Sequence, residues 1–137
     1  MPPVLRVSTV NLSSSDPQGL AAFYADLLGL ERPEVDGPTW VVLRGGSLPL
    51  AFELDERYQP PVWPTEEGRP PTQVHLEVEV DDLAGALGHA LACGARLAAY
   101  QPQDDVRVCL DPAGHPFCLW TDPTGTDPAS DRPPTGP

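Results

Sequence analysis

The sequence predicts an α+β domain in which one unit, a strand, a helix and then two or three strands, is written twice. Three observations predict it. VLRVSTVNLSSSDPQGLAAFYADLLGLE and TQVHLEVEVDDLAGALGHALACGARLA share the same order of alternating strand, aspartate, amphipathic helix and glycine. The strand-like runs after each helix also correspond, TWVVLRGG and LPLAFEL in the first half, DVRVCLD and HPFCLW in the second. The offset is nearly constant, with Asp16 on Asp82 (82 − 16 = 66) and Glu53 on Cys118 (118 − 53 = 65).

The first strand alternates, so Val10 and Leu12 are expected to meet the helix and Thr9, Asn11 and Ser13 to face the other way. Asp16 is a natural N-cap and Pro17 suits the first helical position. Leu20, Phe23, Leu27 and Leu28 form the apolar face, and Gly29 can end the helix in a left-handed turn. Val41 and Leu43 are expected in the core, with Val42 and Arg44 opposite. Leu50, Phe52 and Leu54 read as core, leaving Glu53 on the other face.

In the second copy Leu76, Val78 and Val80 face the helix, and His75, Glu77 and Glu79 point away from it. Asp81 or Asp82 caps a helix carrying Leu83, Ala86, Leu87, Ala90 and Leu91 on one face and ending at Gly94. Val106 and Val108 are expected in the core, with Arg107 and Cys109 turned the other way. Phe117 and Leu119 read as core, leaving Cys118 and Trp120 opposite.

Two stretches stand outside the repeat. Residues 55–73 join the halves and hold too much proline for a sheet interior; Tyr58 and Trp63 within them suggest packing on the body, as a lid or an ordered linker. Residues 121–137 are polar, rich in proline and glycine, and expected to be a disordered tail.

Composition removes several classes of function. A net charge of −12 argues against nucleic acid as a partner. All eight basic residues are arginine, so Schiff-base chemistry and a Walker-type phosphate loop are excluded. No apolar run spans a bilayer, and the start MPPVLRVSTV lacks the pattern of a signal peptide, so a cytoplasmic protein with reduced thiols is expected.

The paired units, the FYADLLGL helix end, HLEVEVDD and DPAGHPFCLW resemble the vicinal oxygen chelate superfamily, the glyoxalase, bleomycin-resistance and extradiol-dioxygenase group, and within it the small glyoxalase-like proteins. The resemblance covers residues 4–120: module one 4–54, linker 55–73 and module two 74–120. It implies two βαβββ modules forming a curved eight-stranded mixed sheet around a central cavity, a small-molecule ligand or substrate, and a homodimer. In metal-using members the ligands come from four places, which here hold Thr9, Glu53, His75 and Cys118. Glu53 and His75 keep the usual ligand types; Thr9 stands where histidine or glutamine is usual, and Cys118 where glutamate is usual.

Read chemically, Glu53, His75 and Cys118 can hold a divalent ion (zinc, nickel, manganese or iron), and Cys109 can add a second sulfur. Glu77 can then serve as a base, with His75 as the other catalytic residue. Arg44 and Arg107 can clamp an anion, or pair with the neighbouring glutamates. Trp120, with Trp40 or Trp63, can wall a flat ligand, and Asn11 can hydrogen-bond it. His115 is read as a turn residue and His89 as an exposed helical one. The half-kept ligand set favours a small-molecule binder in the central cavity without the conventional four-ligand metal site. The alternatives are a metal-dependent lyase, isomerase or dioxygenase using Glu53 and His75, and a metal-free enzyme with His75 as acid or base beside Glu77.

Overall fold

The computed structural model describes residues 2–34 and 37–122. The tail from residue 123 onward, expected to be disordered, lies outside the described residues. The chain parts into two compact units between Tyr58 and Gln59.

Unit one runs β1 (Val10–Ser14), α1 (Pro17–Leu28), β2 (Trp40–Leu43), β3 (Leu50–Leu54). Its sheet has the order β1-β3-β2, with β1 parallel and β2 antiparallel to β3. Unit two runs β4 (Leu76–Glu79), α2 (Leu83–Cys93), β5 (Arg96–Leu97), β6 (Val106–Leu110), β7 (Pro116–Trp120). Its sheet has the order β4-β7-β6-β5, with β4 parallel to β7 and the other pairs antiparallel. The α+β class and the duplication therefore hold, as sheets of three and four strands in place of eight strands in one. The strand lacking from unit one would match β5 at Leu30 and Glu31. There the neighbouring Arg32 folds back on Asp26 (2.6 Å) and Pro33 has no N–H to give a ladder.

The helices begin alike. Gly19 N–H donates to Asp16 Oδ1 (3.0 Å) and Gly85 N–H to Asp82 Oδ1 (3.1 Å), so Asp82 and not Asp81 is the second cap. A side chain at Gly19 or Gly85 would displace the cap carboxylate from the position it holds here. Each helix ends in a left-handed glycine, Gly29 (φ 69°) and Gly94 (φ 118°).

Register fixes the faces. In unit one Val41 and Leu12 both pair with Phe52, and Leu43 and Val10 with Leu50, so these residues share one face. Helix α1 covers that face: Tyr24 stacks on Phe52 at 5.9 Å and meets Phe23 edge-on at 4.9 Å. Leu20 and Phe23 are buried as expected, but Ala21, Tyr24 and Ala25 complete the face, and Leu28 is exposed. The opposite face carries Asn11, Ser13, Trp40, Val42, Ala51 and Glu53.

In unit two the expected phase of β6 is wrong by one residue. Val106 pairs with Trp120 and Val108 with Cys118, whereas Arg107 pairs with Leu119 and Cys109 with Phe117. Val106 and Val108 thus share a face with Cys118 and Trp120, and Arg107 and Cys109 lie on the other one. A one-residue slip reverses every side chain of a strand. Val106, Val108 and Cys109 are all buried, so alternation of apolar residues could not set the phase here. Ala98, Val106, Val108, Cys118 and Trp120 form an apolar cluster, with Trp63 and Leu110 packed against it. None of α2 belongs to this cluster, so the helix covers the Phe117 and Leu119 face.

The segment after Tyr58 belongs to unit two. Val62 bridges Pro71, and Trp63 Nε1 donates to the Tyr100 carbonyl (3.2 Å) with the two rings 6.2 Å apart. Among the described residues no helix is long and apolar enough to cross a membrane.

Candidate functional site

The two helix caps set the match between the units at 82 − 16 = 66, which puts Asn11 on Glu77 and Thr9 on His75. Asn11 pairs with Ala51, and Glu77 pairs with Cys118. The residue of unit one that matches Cys118 is therefore Ala51 (118 − 51 = 67), and Glu53 matches Trp120 (120 − 53 = 67). This corrects the expected match of Glu53 with Cys118. The second β-hairpin is one residue longer than the first, which shifts the offset from 66 on β6 to 67 on β7.

Unit two brings three candidate residues together. His75 Nε2 lies 2.6 Å from Glu77 Oε2. One ligand atom each from His75, Glu77 and Cys118 lies within 4.8 Å of the other two. Parallel pairing sets Glu77 directly across from Cys118, and His75 precedes Glu77 by two residues, on the same face. The two polar side chains are 26% and 31% exposed, while Cys118 is 1% exposed at their base. A short imidazole–carboxylate contact can pass a proton or orient the ring, and the thiol adds a soft donor.

Glu53 stands on unit one, where its Oε2 accepts from Asn11 Nδ2 (2.9 Å). Trp40 is its cross-strand neighbour and is 47% exposed. Thr9 sits just before β1, its hydroxyl 3.2 Å from that of Ser8. Hydroxyls are poor ligands for a divalent transition metal, and Ala51 has no donor. Unit one thus keeps a carboxylate donor at Glu53 but lacks the usual histidine or glutamine at Thr9.

The arginines do not form a matched pair. Arg44 is exposed just after β2. Arg107 is half-buried on the face opposite Cys118, and its Nη1 donates to the carbonyls of Gln103 (3.4 Å), Asp104 (2.9 Å) and Val106 (2.8 Å). Its role is to hold the loop before β6. Cys109 likewise points away from Cys118, and burial raises its thiol pKa from 9.0 to about 11, the inert state of a core thiol. Trp63 packs against the apolar cluster that contains Trp120, both as residues of unit two.

His115 is the turn residue that its position suggests. The fully buried Asp111 carboxylate accepts from the N–H of Ala113 (2.9 Å), the N–H of His115 (3.0 Å) and His115 Nδ1 (2.8 Å). DPAGH is thus a self-capped hairpin turn.

Sequence reasoning missed an open depression of about 530 Å³ in unit one, lined by Ser13, Glu53, Leu54, Asp55, Glu56 and Arg57. Its edge is ordered: Asp55 N–H donates to the Ser14 carbonyl (2.9 Å), and Asp55 Oδ1 accepts from Arg57 N–H (2.9 Å). The signal for it is the charged DER directly after β3.

Residues 9–120 match the model of the glyoxalase-like domain. No curated protein matches the chain significantly in sequence. Solved structures match it in fold. A glyoxalase-related enzyme from Fulvimarina pelagi is 18% identical with a TM-score of 0.64, over 88% of this chain and 90% of that one. A glyoxalase/bleomycin resistance protein/dioxygenase family enzyme from Burkholderia phytofirmans PsJN is 23% identical with a TM-score of 0.62, over 83% and 96%. A lactoylglutathione lyase from Agrobacterium tumefaciens is 19% identical with a TM-score of 0.57, over 88% and 96%. At these identities the likeness is one of fold, and the fold hosts more than one chemistry. With the family model matched along most of its length, the chain belongs to the glyoxalase-like domain family of the vicinal oxygen chelate superfamily.

Proposed function

We propose that this chain is a small-molecule-binding glyoxalase-like domain that works without the conventional four-ligand metal set. The observation that carries the reading is the open polar depression of about 530 Å³ beside Glu53. Glu53, Asp55 and Glu56 give it a negative lining, with the single guanidinium of Arg57 at its rim. On a chain of net charge −12 this favours a ligand bearing a cationic group. Trp40, exposed across from Glu53, offers a flat face to an aromatic part of the same ligand. Ala51 and Thr9, at the unit-one positions that match Cys118 and His75, support the absence of the conventional set.

The test is a fragment titration. Benzylamine is expected to bind about tenfold more tightly than benzyl alcohol, as read from tryptophan fluorescence and backbone amide shifts at residues 53–57. That corresponds to about 1.4 kcal/mol, the scale of one charge-assisted contact. Equal binding of the two fragments, or shifts elsewhere, contradicts the proposed surface. Turnover of the methylglyoxal–glutathione adduct or of a catechol contradicts a role limited to binding.

A further inference from the structure

We propose that His75, Glu77 and Cys118 form a zinc site contained within unit two. It differs from the set expected by resemblance: Thr9 and Glu53 have no part in it, and Glu77 is a ligand. It also stands independently of the ligand surface proposed on unit one.

Topology brings the donors together. The β4–β7 pairing sets Glu77 opposite Cys118, and the two-residue period of β4 turns His75 to the same face. The ligand atoms already lie within 4.8 Å of one another. Donors around tetrahedral zinc stand about 3.3–3.6 Å apart, as bond lengths of about 2.0–2.3 Å require, so the His75–Glu77 pair, at 2.6 Å, must open to admit the ion, a side-chain displacement of about an ångström.

The donor types suit zinc. One nitrogen, one carboxylate oxygen and one sulfur make a borderline-soft set, and three protein ligands leave a fourth position for water or a ligand oxygen. The charges balance as well. A glutamate and a thiolate neutralise a dication, which matters where the sulfur is buried. The surroundings are asymmetric: Val106, Val108 and Trp120 wall the sulfur side, while His75 and Glu77 keep an approach from solvent. Cys109 faces away and adds no competing sulfur.

The experiment uses the full chain, stripped with chelator and titrated with cobalt(II) and then zinc(II). The expected result is one ion per chain with a thiolate-to-cobalt charge-transfer band that zinc abolishes. Cys118→Ser should remove the band and Cys93→Ser should keep it. Glu77→Gln should weaken zinc at least tenfold, while Glu53→Gln should change zinc affinity less than twofold yet weaken benzylamine. Glu77 is part-exposed at an edge strand, so its variant decides the matter even if Cys118→Ser fails to fold by circular dichroism. No band in the folded wild type, or equal losses in Glu53→Gln and Glu77→Gln, overturns the proposal.

Discussion

The two units share a scaffold and differ on the sheet face turned away from the helix. In unit one that face carries Asn11, Ser13, Glu53 and an exposed Trp40. In unit two Glu77 and Glu79 stand where unit one has Asn11 and Ser13, but Val106 and Trp120 replace Trp40 and Glu53; with Val108 and Cys118, which match Val42 and Ala51, they form an apolar cluster onto which Trp63 packs. One copy keeps a polar surface that can meet a ligand; the other has built a second small core and keeps its polar groups at one corner. The cost of burying polar groups explains why only that corner of unit two concentrates chemistry. Within an apolar cluster an unpaired donor is expensive, so His75 and Glu77 pair with each other at the margin.

The largest test of this contrast is a pair of matched substitutions. Val108→Asp places a carboxylate in a fully buried row and should cost about 4 kcal/mol or more, or prevent folding. Val42→Asp, at the matching half-exposed position, should cost about 1 kcal/mol. Urea denaturation of both variants measures the difference, and equal losses would break the contrast. Next in size, Asp111→Ala removes the acceptor of three hydrogen bonds in a turn that only unit two possesses, and should cost about 3 kcal/mol by chemical denaturation. Trp63→Ala should cost about 2 kcal/mol, since the ring is only partly buried against the cluster. The helix caps are where the units agree. Asp16→Ala and Asp82→Ala should each cost about 1 kcal/mol, with a difference smaller than either loss.

Unit two carries a pH dependence at Cys109. The Cys109 thiol is held neutral by burial, with its pKa pushed up to about 11. The native state therefore keeps this proton when the unfolded chain has lost it. The stabilising effect is complete below about pH 9 and is lost as pH rises from there through 11. Thermal melts should show a steeper fall across that window than melts of Cys109→Ala.

The duplication, the first cap and unit one's strand faces are legible in the sequence, because the helix-facing positions are apolar and Asn11, Ser13 and Glu53 mark the other face, whereas the second cap is legible only as Asp81 or Asp82. An aspartate ahead of each helix is a local signal that needs no tertiary context. The phase of β6 is not legible, since VRVCL offers apolar residues to both faces. The match of Glu53 with Cys118 fails for a different reason. The expected match takes an offset of 65, whereas the extra residue in the second hairpin raises it from 66 to 67, and the two-residue difference leaves each side chain on its expected face while changing its partner. Of the candidate site, His75 and Cys118 could be named from the sequence as ligands. Glu77 joins them as a candidate ligand only once the parallel β4–β7 register is known. The depression at Ser13 and Asp55–Arg57 depends on a turn conformation that the DER triplet does not specify.

The central claim is that the metal-binding chemistry of this domain is complete in unit two and owes nothing to unit one. Anomalous diffraction at the zinc edge from a crystal grown with zinc tests it most directly. The predicted result is a single ion between His75 Nε2, a Glu77 carboxylate oxygen and Cys118 Sγ, with no protein ligand from residues 1–58. An ion bound by Glu53, or no ion at His75, would contradict it.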